Sequence, residues 1–87
     1  MRIDKFLKIS LIFKTRSSGD KLIDDNRVFI NNKPTKSSST VKIGDTILII
    51  TTDKKTTYQV KQILEKNVSK ELAKTMYEII NEESNEF

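Results

Sequence analysis

The sequence predicts an α+β fold: two helices packed on a small, highly curved, mostly antiparallel sheet, plus a C-terminal helix. Apolar residues recur at helical spacing near the N-terminus, β-branched runs fill the middle, and a helical stripe returns after Ser69. At 87 residues the chain reads as one domain over 1–87. A domain of that size hides about two-thirds of its unfolded surface, enough for one modest core.

Arg2 to about Phe13 reads as the first helix, because Ile3, Phe6, Leu7, Ser10 and Phe13 share one face. Arg2, Lys5 and Lys8 form a cationic stripe beside that face, and Asp4 in the first turn complements the helix dipole. Ser17 and Asp20 resemble a capping box that opens a second helix, with Leu22 and Ile23 as its buried side. Gly19 permits close approach to the first helix. Asn26 suits a left-handed cap at the second helix's end, since Asn tolerates positive φ.

Val28-Phe29-Ile30 is a short strand that stops at Asn31-Asn32, a pair suited to a tight turn. Lys33 to Thr40, with the lone Pro34, reads as an irregular excursion. Val41 to Ile43 makes a second strand before the Gly44-Asp45 turn, and Thr46 to Thr51 is the strongest strand signal. Thr56 to Ile63 is its antiparallel partner. Ser69 caps a last helix from Lys70 to about Glu82, whose stripe is Leu72, Ala73, Met76, Ile79 and Ile80. Glu82, Glu83 and Glu86 form a frayed acidic tail, so the expected order is α-α-β-β-β-β-α.

Composition narrows the chemistry. Zero cysteines exclude disulfides and thiolate sites, and zero histidines remove the commonest general base and most zinc sites. The two glycines, Gly19 and Gly44, make no phosphate-cradling motif, and the carboxylates make no acid–base pair. No cofactor and no catalysis are expected. No apolar run approaches the roughly 18 residues of a membrane span, and no signal peptide is visible. A cytoplasmic monomer without a membrane partner is the expectation.

Charge is unevenly spread. Residues 1–44 carry +6 and residues 45–87 carry −2. That asymmetry points to a basic face meeting a polyanion, although a merely soluble basic surface fits it equally well. All three arginines, Arg2, Arg16 and Arg27, lie in the first third. Guanidinium groups grip phosphates bidentately and stack on bases. Chance also produces such a distribution. Lys5, Lys8 and Lys14 add attraction to phosphates, and Asn31 and Asn32, beside Lys33 and Lys36, can reach RNA sugars or bases. The Ser37 to Thr40 hydroxyls fit either phosphate contacts or a plain polar loop.

Four segments carry a resemblance. They are R-I-D-K-F-L-K-I-S (Arg2 to Ser10), T-R-S-S (Thr15 to Ser18), D-D-N-R-V-F-I-N-N-K-P-T-K-S-S (Asp24 to Ser38) and V-K-I-G-D-T-I (Val41 to Ile47). Together they resemble the RNA-binding domain first seen in small-subunit ribosomal protein S-four, over roughly residues 2–50. Residues 51–87 would then add a strand and the C-terminal helix. With K-E-L-A-K-T-M-Y-E-I-I-N-E-E (Lys70 to Glu83), the chain is most similar to the ribosome-associated quality control protein P family.

That resemblance implies binding to obstructed large ribosomal subunits, through ribosomal RNA and peptidyl-tRNA. It also implies support for a partner elongation factor that tails stalled chains. The related heat-shock protein fifteen family usually ends in a strongly basic helix, whereas this C-terminus is acidic. The family's RNA-facing positions fall on Arg2, Lys5, Lys8, Arg16 and the Asn31-Asn32 turn. Ser17, in the T-R-S-S connection, Lys14 and Arg27 complete the candidate surface, with Asp4 holding neighbouring cations. Leu11 stands where a basic residue is usual, and Asn26 replaces the usual glycine.

An alternative reading is a protein-interaction adaptor with incidental basic charge. Such domains are also found fused to catalytic ones, for which 87 residues leave no room. The abundance of Lys, Ile and Asn fits an AT-rich bacterial genome.

Overall fold

The computed structural model describes residues 1–13, 16–66 and 68–84, the side chains of residues 16–18 excepted. The first helix, α1, runs over Ile3–Ile9 and buries Ile3, Phe6 and Leu7. It is shorter than the apolar spacing predicts. Leu11 adopts φ 61°, and its N–H donates to the Lys8 carbonyl while that of Phe13 donates to the Leu7 carbonyl. This reversal lets Ile9, Ile12 and Phe13 pack against the core.

The second helix, α2, spans Arg16–Asp24, so Ser17 stands inside the first turn rather than at the cap. Gly19 is where the helices meet: a Cβ there would lie 3.3 Å from Phe13 Cδ2 and 3.7 Å from Leu7 Cδ1. The C-terminus closes as expected. Asn26 has φ 58°, its N–H donates to the Ile23 carbonyl at 3.0 Å, and that of Arg27 donates to Leu22 at 2.9 Å. These two bonds satisfy carbonyls that a helix end otherwise leaves open.

Five antiparallel strands complete the domain: β1 (Val28–Ile30), β2 (Lys33–Pro34), β3 (Thr46–Ile50), β4 (Lys54–Val60) and β5 (Tyr77–Ser84), in the order β2-β1-β3-β4-β5. Asn31 and Asn32, at φ 51° and 68°, form the tight turn expected at the end of β1. Two expectations change here. Lys33-Pro34 is a short edge strand, where proline's missing donor is tolerated. Val41 to Ile43 is no strand; Val41 instead inserts into the core, and its N–H donates to the Met1 carbonyl at 2.8 Å.

Register decides which side chains face the helices. Val28 pairs with Ile49, Ile30 with Ile47, and Ile47 with Tyr58. Val28, Ile47, Ile49 and Val60 join Ile3, Phe6, Leu7 and Ile23 in one apolar cluster. Opposite faces of a pleated strand alternate, so one face of the sheet carries this core.

The largest correction is C-terminal. Ser69 caps a helix as predicted, its Oγ accepting from the Leu72 N–H, but that helix, α3, covers only Lys70–Lys74. Met76 is buried, and the chain then extends as β5 along the outer edge of β4. Of the predicted stripe only Ala73 and Met76 are buried; Leu72, Ile79 and Ile80 are about half exposed. Glu82 and Glu83 pair with Thr56 and Lys55 in the ladder rather than fraying, and Glu86 lies outside the described residues.

Backbone pairing explains the choice. The free edge of β4 offers a row of donors and acceptors, and a strand satisfies them where a helix does not. The rings of Tyr58 and Tyr77 meet edge to face at 5.3 Å, an arrangement worth about 0.5–1.5 kcal/mol beyond burial. The Lys54–Glu82 and Lys61–Glu78 pairs, at 3.2 and 3.0 Å, are exposed and screened by solvent, so they add little stability.

Two stability effects are expected. Asn26→Gly should be nearly neutral, whereas Asn26→Ala should cost about 1 kcal/mol, because alanine resists left-handed φ; thermal melts will separate them. Burial pushes the Tyr58 phenol above its ordinary value of 10.0, and the hydrogen bond and charge of Glu82 raise Lys54 above 10.5. Above those values the unfolded chain releases protons that the folded one retains, so stability should fall as alkaline pH rises. Melts from about pH 9 to about pH 11 should show the decline, lessened in Tyr58→Phe.

Candidate nucleic-acid interface

Arg2 sits just before α1 in extended conformation and forms an isolated antiparallel bridge with Thr40. Its Nη2 lies 3.2 Å from Asp4 Oδ2; the Arg2 side chain is 52% exposed and that of Asp4 is 1% exposed. The Asp4 Oδ1 accepts from the Lys5 N–H at 2.8 Å. A buried carboxylate thus orients a half-exposed guanidinium. Since half of the pair is solvated, it aims Arg2 more than it stabilises the fold. Lys5 and Lys8 are exposed and line, with Arg2, Asp4 and Ile9, a recess of about 270 Å³.

The β1–β2 turn is braced from behind. Asn31 Nδ2 donates to Asp45 Oδ1 at 3.2 Å, and Asn31 Oδ1 accepts from the Thr46 N–H at 3.0 Å. The second Asp45 oxygen accepts from the Lys42 N–H at 2.9 Å. Asn31 therefore joins two turns, while Asn32 and Lys33 stand exposed at the tip. Asp45 and Lys42 join the candidate surface through contacts that the sequence alone does not reveal. The Gly44-Asp45 turn was legible, but the 14-residue span to Asn31 was not.

Thr40 connects the two regions, since it bridges Arg2 and also lines a cleft of about 410 Å³ with Asn31, Lys33, Lys42 and Asp45. The structure thus gathers Arg2, Lys5, Lys8, Asn31 and Lys33, with Asn32 beside them. It does not bring Arg27 there. Arg27 precedes β1 at the end opposite the Asn31 turn, roughly 13 Å away along the strand, and lines a cleft with Lys21, Thr51 and Thr52. Lys36 lines a separate recess with Asp24, Asn26, Ser37 and Ser38. Lys14 and the side chains of Arg16 and Ser17 lie outside the described residues.

Cations over an oriented recess, beside a braced hairpin, suit the binding of a phosphodiester backbone. A family model described as S4 domain matches residues 1–47. The chain is 41% identical over 83 residues to the RQC P-site tRNA stabilizing factor of Bacillus subtilis, covering 95% of each. It is 37% identical over 83 residues to the factor of that name from Listeria monocytogenes, covering 95% of this chain and 89% of that one. Among solved structures, it resembles trimeric Heat Shock Protein 15 of Vibrio cholerae, with TM-score 0.80 and 26% identity over 91% of this chain and 80% of that one.

Fold and matched segment define a non-catalytic RNA-binding protein of the S4-domain class, not an enzyme. Within that class, the chain belongs to the family of RQC P-site tRNA stabilizing factors.

The brace has a measurable consequence. Asp45→Ala removes the acceptors for Lys42 N–H and the Asn31 amide, and should destabilise by about 1 kcal/mol. Hydrogen exchange should quicken at Lys42 and Thr46 while the β4–β5 amides stay unchanged.

Proposed function

We propose that the chain is a cytoplasmic, ribosome-associated quality control factor that binds obstructed large subunits through ribosomal RNA and steadies the P-site tRNA. In this reading it supports a partner elongation factor during C-terminal tailing of stalled chains. The observation that carries it is the Arg2–Lys5–Lys8 surface, with Arg2 aimed by buried Asp4, joined through Thr40 to the hairpin. Relatives of 36–41% identity that are named as P-site tRNA stabilizing factors support the same reading.

RNA recognition falls to the unit over 2–50, and residues 51–87 supply two supporting strands and a short helix. Arg2, Lys5, Lys8, Arg16, Asn32 and Lys33 contact RNA; Asn31 holds the turn, and Asp4 holds Arg2. Lys14, Ser17, Arg27 and Lys36 are outlying phosphate contacts. The protein acts as a monomer.

A second reading, a large-subunit recycling factor, draws on the likeness to Heat Shock Protein 15. It is the weaker one. Tailing of a stalled chain separates the two, because the first reading requires the tails to shorten when the factor fails.

Sucrose-gradient sedimentation tests the assignment. Wild type should travel with large subunits, whereas Arg16→Ala and the Lys5→Ala/Lys8→Ala double variant should shift to the top with melting temperatures nearly unchanged. Affinity should fall steeply with salt, and each lysine removed should lower the logarithmic salt slope by about 1. Binding that ignores salt overturns the electrostatic basis.

A further inference from the structure

The cationic stripe of α1 explains attraction to any phosphodiester chain, but it carries no means of telling paired from unpaired RNA. The neighbouring cleft does. It lies between the β1–β2 hairpin and the 39–45 segment, at about 410 Å³, within the roughly 300–1,000 Å³ typical of small-molecule sites. Ile30 and Pro34 give it apolar surface, while Lys33, Lys42, Ser39 and Thr40 supply charge and hydroxyls. The Asn31–Asp45 bond joins the two turns, and the Arg2–Thr40 bridge secures the far side.

We propose that this cleft receives one unpaired nucleotide of the bound RNA, its base against Ile30 and its phosphate between Lys33 and Lys42. The inference rests on the RNA-binding reading above and adds a subsite to it. Three features favour a nucleotide. The lining lysines match a phosphate, Ile30 matches a base face, and Thr40 of the cleft pairs with Arg2 of the neighbouring recess, so one strand can reach both. A base held in a duplex is stacked and cannot enter, so the cleft selects loops, bulges and ends. Asn31 and Asp45 serve as positioning residues, because their mutual bond sets the width of the opening.

Affinities for an RNA hairpin with an unpaired loop, and for a blunt duplex of the same stem, test the subsite. Wild type should favour the hairpin by about tenfold. Thr40→Tyr fills the cleft from an exposed position and should bring the hairpin-to-duplex ratio close to one. Lys42→Gln, which keeps the backbone donor to Asp45, should lower that ratio part of the way. Amide shifts at Lys33, Thr40 and Lys42 should accompany hairpin but not duplex addition. Equal binding of both RNAs by wild type, or an unaltered ratio in Thr40→Tyr, would overturn the subsite while leaving the α1 surface standing. Failure of wild type to bind either RNA would remove the RNA-binding reading and the subsite with it.

Discussion

The arrangement depends on one backbone contact between distant segments. Residues 1–3 pair with 39–41: the Ile3 N–H donates to the Ser39 carbonyl at 2.7 Å, the Val41 N–H donates to Met1 at 2.8 Å, and Arg2 bridges Thr40. A seven-residue helix is too short to persist alone, so α1 owes its existence to this tether and to the burial of Ile3, Phe6 and Leu7. The same tether sets Arg2 beside the hairpin. Stability and the cationic surface therefore share a cause.

Charge is segregated along the sheet. The cationic helix and hairpin gather toward the β2–β1 edge, while Glu78, Glu82 and Glu83 lie on β5 at the other edge. Four inter-strand spacings separate β2 from β5, roughly 19 Å, about two Debye lengths at physiological salt. A polyanion meeting the molecule is drawn to the cationic edge, because the lysines beside β5 are offset by its glutamates, and this orients the encounter before any specific contact forms. On β5 itself the exposed ion pairs add little energy. They match Glu82 to Lys54 of β4 and Glu78 to Lys61 just beyond it, and so favour one register.

Much of this was legible in the residues. The apolar spacing of Ile3, Phe6 and Leu7, the left-handed Asn26, the Asn31-Asn32 turn and the Ser69 cap each arise from local chemistry, and each stands in the fold. The motifs from Arg2 to Ile47 carried the family resemblance because they combine rare local features in one order. The length of α1 was not legible, since nothing in the Leu11 side chain announces a left-handed backbone. Nor was the Asn31–Asp45 brace, which is set by strand register.

The sequence by itself determined the helical faces, the turns, the cationic stripe and the family, because these depend on neighbours within a few positions. Tertiary structure decided the C-terminal segment. Tyr77-Glu78-Ile79-Ile80 satisfies a helical stripe and a strand propensity alike, and local preference cannot choose between them. The open edge of β4 breaks the tie, since pairing there satisfies backbone groups that a helix would leave unmatched.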